Sequence, residues 1–295
     1  MSDETFDPKD FKKPTKLTAQ ADPEHSFNPE TLKKRIYEVA QREEDMLTAP
    51  LGPVKTWSFS RLMNFENCPY SVYLKSVENA PDPSGIAAAR GTLVHDHIES
   101  YIRAEHDDLT HVTVEKGMKP VNLCPFVPMI TNLREQWEAG KVEVEGNWGF
   151  KRDWEVTDFF GEDVWGRMKL DAIEFQDRTS ALAVDWKTGQ KFGNELKHNQ
   201  QGMTYTIGAF MRYPELQFIE TRFVYLDQKD APLSNSYTRE RAMLLMPMIN
   251  KRANRMTTAV NFPPKPSMHA CRWCPHAKTQ EGYDEPLCAF RYQEL

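Results

Sequence analysis

Apolar positions divide the chain into a polar lead, a helical first half, a run of strands and a closing helix. Residues 1–28 carry Pro8, Pro14 and Pro23 among alternating charges and read as a flexible tail. Asn28-Pro29-Glu30-Thr31 has the pattern of a helix start, and Leu32, Ile36, Val39 and Met46 give a loose stripe ending before Pro50 and Pro53. A second helix start follows at Ser58 or Ser60. A longer helix is expected over 84–104, with Gly91, His95, Glu99 and Ile102 on one face, and a shorter one over 129–137. Strands are then expected near 149–157, 164–175, 181–187 and 217–227, with a turn at Gly161-Glu162-Asp163. A helix over 195–212 separates the last two strands, and another over 238–258 contains Pro247. The pattern is α/β: helix, three strands, helix, strand. It divides into the tail (1–28), an N-terminal helix and linker (29–56), and a main domain (57–295).

Composition agrees with a folded main domain. The 295 residues are 40% hydrophobic and 27% charged, as in soluble globular proteins. No apolar run reaches bilayer length. The acidic start, Met1-Ser2-Asp3-Glu4, has no apolar stretch of a secretory signal. A cytoplasmic setting without membrane contact is the expectation. The net charge of −6 argues against a general nucleic-acid coat protein but leaves room for an enzyme with a local basic groove.

Within the strand region, Asp171 and then Asp185-Trp186-Lys187 carry the main candidate chemistry. Asp185 and Lys187 are two apart on one strand and share a face. If neighbouring strands pair in simple order, that face meets Asp171. Two carboxylates offer the hard oxygen ligands that Mg²⁺ or Mn²⁺ prefer. Such a site activates water and polarises a phosphoryl oxygen, while a lysine offsets charge in the transition state. His95 follows Gly91 by one helical turn, where absence of a side chain would let the helix approach the sheet. Gln201 and Tyr205 share a face of the next helix, with Gln200 as the substitute one register away.

Taken in order, Gly91-x-x-x-His95, Asp171, Asp185-x-Lys187 and Gln201-x-x-x-Tyr205 resemble the PD-(D/E)XK nuclease superfamily, over about residues 57–290. The nearest resemblance is to the branch holding the RecB nuclease domain and the CRISPR-associated single-strand exonucleases. It implies a restriction-endonuclease-like core, with a mixed central sheet flanked by helices, an N-terminal helical extension and a C-terminal cysteine-rich tail. It also implies that His95, Asp171, Asp185 and the backbone carbonyl of Trp186 bind metal, that Lys187 is catalytic, and that Gln201 and Tyr205 support the site. Leu170 stands where the superfamily name has proline.

The five cysteines are Cys68, Cys124, Cys271, Cys274 and Cys288. An odd number in a reducing compartment favours metal ligation over disulfides. The resemblance implies that Cys68, Cys271, Cys274 and Cys288 hold a [4Fe-4S] cluster as a staple, although the gap from Cys274 to Cys288 exceeds the family's usual spacing. Zinc is the alternative, with His269 or His276 replacing a cysteine. Cys124 is expected to be structural.

The function implied is a Mg²⁺- or Mn²⁺-dependent deoxyribonuclease, an exonuclease acting on single-stranded DNA or DNA ends in recombination, repair or replication. A virus-encoded role in the host-cell cytoplasm and a helicase or recombination partner fit the same resemblance. The alternative is a DNA-binding or complex-organising module with a structural iron–sulfur or zinc site. Candidate phosphate contacts are Lys187, Lys191, Lys197, His198, Arg239, Arg241, Lys251, Arg252 and Arg255. Trp186, Phe192 and Tyr205 are candidate stacking surfaces.

Overall fold

The computed structural model describes residues 47–83, 85–228 and 231–292. The tail and nearly all of the helix expected over 29–47 lie outside the described residues. Helix α1 (Phe59–Asn67) starts at Ser58, whose side chain accepts from Arg61 N, as an N-cap should. Helix α2 (Pro69–Ser76) follows directly, with proline in its first turn. Helices α3 (Ile86–Ile102) and α4 (Val127–Glu138) precede the strands.

Strands β1 (Val142–Phe150), β2 (Val156–Thr157), β3 (Gly166–Phe175) and β4 (Ser180–Lys187) come next. After them run α5 (Glu195–Arg212), β5 (Phe218–Tyr225), β6 (Leu233–Thr238) and α6 (Arg239–Thr257), and last the short α7 (Met268–Arg272). The sheet order is β2-β1-β3-β4-β5-β6. Among the described strands, only β4 and β5 pair in parallel, because α5 crosses between them as a parallel connection requires.

One face of the sheet packs on α3 and α4, through Val94, Ile98, Ile102, Ile130 and Leu133. The other packs on α1, α5 and α6, through Leu62, Phe65, Ile207, Phe210, Ile249 and Met256. Helix α5 is buried along Gly202–Phe210 and lies very close to the sheet. A Cβ on Gly202 would meet Thr221 Oγ1 at 2.8 Å, and one on Gly208 would meet Met168 Sδ at 2.4 Å. These are the glycines that permit close approach. At Gly91 an added Cβ would meet Thr188 Oγ1 at an ordinary 3.4 Å, so packing of α3 does not depend on that glycine.

Three strands differ from the sequence expectation. The strand expected near 149–157 is instead the end of β1, which begins at Val142, then a break over 151–155 and the short β2, and β6 was not anticipated. Side chains should also alternate regularly between faces, yet both β1 and β3 switch midway. Val142 and Val144 pack with α3 and α4, whereas Trp148 and Phe150 pack on the opposite face. In β3 the switch lies between Leu170 and Ala172. The paired residues Val144↔Ala172 and Gly146↔Leu170 flank one unpaired rung, Glu145 opposite Asp171. Glu145 has φ +50°, a conformation costly for a residue with a side chain. The irregularity therefore sits at one of the expected site residues.

Candidate active site

The β3–β4 ladder ends at Ala172↔Val184. Beyond it Asp171 Oδ2 accepts the backbone N–H of Trp186 at 2.7 Å. A side chain thus takes a donor that the neighbouring strand would otherwise satisfy. Asp171 and Asp185 approach because the strands part and one carboxylate enters the gap. Simple face-sharing is not the reason: Asp185 lies on the α5 side of β4, with Leu182, Val184 and Trp186 on the other.

His95, from α3, places Nδ1 3.1 Å from Asp171 Oδ1. Burial lowers its pKa, but the hydrogen bond and charge of Asp171, with Asp185 behind, raise it overall. Glu145 joins them. One ligand atom each from His95, Glu145 and Asp171 all lie within 4.8 Å of one another. Glu145 also pairs with Lys169, and burial raises its carboxyl pKa. The sequence reading missed Glu145 because it began the strand too late. The alternation Val142-Glu143-Val144-Glu145 was the available signal.

Asp185 is nearly fully buried. Its Oδ1 faces Lys187 Nζ at 2.6 Å, and its Oδ2 accepts from Gln201 Nε2 at 3.3 Å. Burial lifts its pKa to about 6; the Lys187 charge opposes the rise and Asp171 adds to it. Gln201 binds three groups at once. Its Oε1 accepts from Lys187 at 3.2 Å, and its Nε2 also reaches the Tyr205 hydroxyl at 2.6 Å. Tyr205 is buried, and burial together with the two aspartates holds it well above the usual phenol pKa. It therefore stays protonated. Gln200 does not take this place; its carbonyl accepts from Thr204 within α5.

Of the expected ligands, His95 and Asp171 come together, with Glu145 as the third member; Asp185 lies outside that group, beside Lys187 and Gln201. Half-buried carboxylate oxygens beside one imidazole fit a hard divalent cation. Arg90 was not anticipated either. It is buried and bidentate to Asp227 at 2.7 and 3.0 Å, and it also donates to Lys119 O and Thr188 O. It ties the loop before α4 to the turn after Lys187.

Several expected phosphate contacts have other employment. His198 is buried, stacked on Phe223 and bonded to the Tyr225 hydroxyl at 2.7 Å, and burial lowers its pKa to about 4. Arg239 donates to four carbonyls around the end of α5, Phe210, Tyr213, Pro214 and Leu216. Arg252 pairs with Glu66. Trp186 and Tyr205 are too buried to stack with a base, whereas Phe192 is exposed.

The four expected cluster cysteines, Cys68, Cys271, Cys274 and Cys288, line one small cavity with Leu74, Pro264 and Phe290. Cys68 Sγ accepts Lys265 N–H at 3.4 Å, and Cys271 Sγ accepts Tyr292 N–H at 3.3 Å. Burial raises the thiol pKa of Cys274 and Cys288. Cys288 belongs to the group despite its distance in sequence. Cys124 stands apart and is exposed, so no packing role attaches to it.

Among the described residues, no helix is long and apolar enough to cross a membrane. No curated protein matches the chain significantly. Seventeen solved chains are similar to it, three of them as follows. One is an exonuclease-named protein from Eubacterium rectale, at 14% identity and TM-score 0.44, covering 87% of this chain and 95% of that one. SSO0001 has 12% identity and TM-score 0.36, with 82% and 93% covered. LHK-Exo, solved in complex with dAMP, has 11% identity and TM-score 0.35, with 69% and 87% covered. Residues 56–279 match the PD-(D/E)XK nuclease superfamily, and so the chain belongs to that superfamily.

Proposed function

We propose that this protein is a Mg²⁺- or Mn²⁺-dependent deoxyribonuclease, acting as an exonuclease on single-stranded DNA or DNA ends. The observation that carries the reading is the insertion of Asp171 between β3 and β4, beside buried Asp185 and Lys187. Asp171, Asp185 and His95, with Glu145 and the Trp186 carbonyl, would hold the cation. When bound, it supplies Lewis-acid polarisation of the phosphoryl oxygen and a more acidic water. Lys187 offsets charge developing on the phosphate. Gln201 fixes the Lys187 ammonium through its amide oxygen and Asp185 through its amide nitrogen. Tyr205 anchors Gln201 in turn. Preference for ends or single strands follows the branch that the motifs resemble, as does work in recombination, repair or replication beside a helicase or recombination protein.

The cysteines, on the same proposal, hold a [4Fe-4S] cluster. A single zinc bound by thiolates at about 2.3 Å needs sulfurs roughly 3.8 Å apart. No three of these cysteine sulfurs fall within 4.8 Å of one another among the described residues. His269 and His276 line a neighbouring groove that shares Cys68 and Cys274 with the cysteine cavity, and a zinc site would draw on them. Two backbone N–H groups already point at sulfur, as suits cluster ligands.

End-labelled and internally labelled DNA, single- and double-stranded, test the mode of cleavage. The proposal expects mononucleotides or short products from the labelled end of linear single strands. Cutting of closed circular single strands at the same rate would replace it with an endonuclease.

A further inference from the structure

A polar groove adjoins the cysteine cavity and shares Cys68 and Cys274 with it; it is lined from α1, α2 and the segment around α7. Ser58, Arg61, Asn64, Ser71, Lys75 and Trp273 are among its walls. Three features call for an occupant. Trp273 is 70% exposed, although large aromatic side chains are usually covered. His276 is buried and lines the groove, yet its Nδ1 has no hydrogen-bond partner, and burial lowers its pKa, keeping the ring neutral. Arg61 and Arg167 lie close enough for their charges to interact, and neither has an acidic partner among the described residues. Arg61 uses one nitrogen on Thr56 O and Oγ1. The buried Nε of Arg167 is unpartnered, and its guanidinium lies over Phe159 and Phe160.

The two arginines also connect the groove to the active site. Arg167 is on β3, four residues before Asp171 and so about 13 Å along the strand. Its N–H donates to Trp57 O at 2.9 Å. Arg61 lies on α1, which begins two residues after Trp57. Two arginines without acidic partners among the described residues thus stand between the carboxylates and the groove, with Arg61 on the groove wall. Acidic walls are few: Asp82 is present but is paired with Lys75.

We propose that this groove is a subsite for single-stranded DNA, holding nucleotides that flank the bond cut at Asp171 and Asp185; it rests on the nuclease reading above. Arg167 and Arg61 face phosphates, the serine and asparagine side chains bond the backbone, and Trp273 stacks on a base. Such a combination of cationic side chains and aromatic platform binds single strands without regard to sequence. A nucleotide unit could also arrive as a released mononucleotide, and the two sources differ in their dependence on strand length.

The test measures binding of fluorescein-labelled oligo(dT), from roughly 4 to 16 nucleotides, to full-length Asp185→Asn protein, so that cleavage does not interfere. Affinity should rise with length. Adding Trp273→Ala or Arg61→Ala should remove about tenfold of the affinity for longer strands, with little change for the shortest. Arg61→Ala should also flatten the salt dependence by about 0.7 in the log–log slope. Trp273 adjoins the cysteines, so Asn64→Asp, at an exposed position of α1, serves as the second variant. It should weaken long strands comparably by repulsion. Equal binding by all variants at every length overturns the proposal. So does competition by thymidine monophosphate as strong as that of the long strand, which would make the groove a product site. Cleavage by wild type with unaffected variants removes only the groove; length-dependent binding without any cleavage removes only the nuclease reading.

Discussion

Replacing Asp185 with asparagine should stabilise the metal-free protein while abolishing its activity. The carboxyl is nearly fully buried, and burial lifts its pKa from 3.8 to about 6 despite Lys187 at 2.6 Å. The folded state therefore holds this proton more tightly than the unfolded chain. Below about pH 4 the group is protonated in both states and costs nothing. Between about pH 4 and 6 the unfolded chain releases the proton first, and stability falls as pH rises. Above pH 6 the full cost remains, about 3 kcal/mol from the gap between the two values. Asparagine keeps the shape and an acceptor for Lys187 but removes the charge. Allowing for the lost ion pair, the gain at pH 7.5 in EDTA should be about 1–3 kcal/mol, or roughly 2–10 °C in Tm. Thermal unfolding of both proteins from pH 4 to 8 measures it. Mg²⁺ should then raise the Tm of wild type more than that of the variant. A variant less stable than wild type at pH 7.5, with no change in the gap between pH 4 and 6, would refute the reasoning.

Other outcomes follow from the same geometry. Gln201→Ala should lower kcat by about 10- to 100-fold with little change in DNA affinity, since Gln201 positions Lys187 without facing solvent-borne phosphate; unchanged kcat would separate Gln201 from the site. At subsaturating Mg²⁺, activity should climb as pH rises through about 6, where Asp185 loses its proton, and continue upward as His95, raised by Asp171, loses its own; a flat profile from pH 5 to 8 would contradict this. Cys271→Ala and Cys288→Ala should lose iron content, brown colour and several degrees of Tm, whereas Cys124→Ala should not. Equal effects of all three would undo the staple. Gly202→Ala should destabilise by about 1–3 kcal/mol, as its methyl would collide with Thr221 and Phe223; a neutral result in urea unfolding would contradict the close packing of α5.

The helices and the central strands were readable because their apolar periods are long and regular. Helix α5 matches the expected 195–212, and β3 and β4 lie within two residues of expectation. Strand β6, Leu233–Thr238, is an edge strand with three serine or asparagine residues in a row, so it lacks the apolar alternation that announces a strand. The ordered residues of the site were legible as types and spacings. Their convergence was not, because it depends on the unpaired rung between Glu145 and Asp171, where alternation fails. A period-based reading is blind at that rung. For the same reason it could not anticipate that Glu145 stands with His95. The roles of His198 and Arg239 also depend on partners distant in sequence, Tyr225 and the end of α5. Local pattern shows a charge but not what already holds it.

The most direct test of the central claim is cleavage of labelled single-stranded DNA in Mg²⁺ or Mn²⁺ by wild type, Asp185→Ala and Lys187→Ala, each checked for folding by circular dichroism. Metal-dependent cleavage by wild type, with losses of about a hundredfold or more in both folded variants, is the predicted result. Equal cleavage by all three proteins, or cleavage by wild type that persists in EDTA, would contradict it.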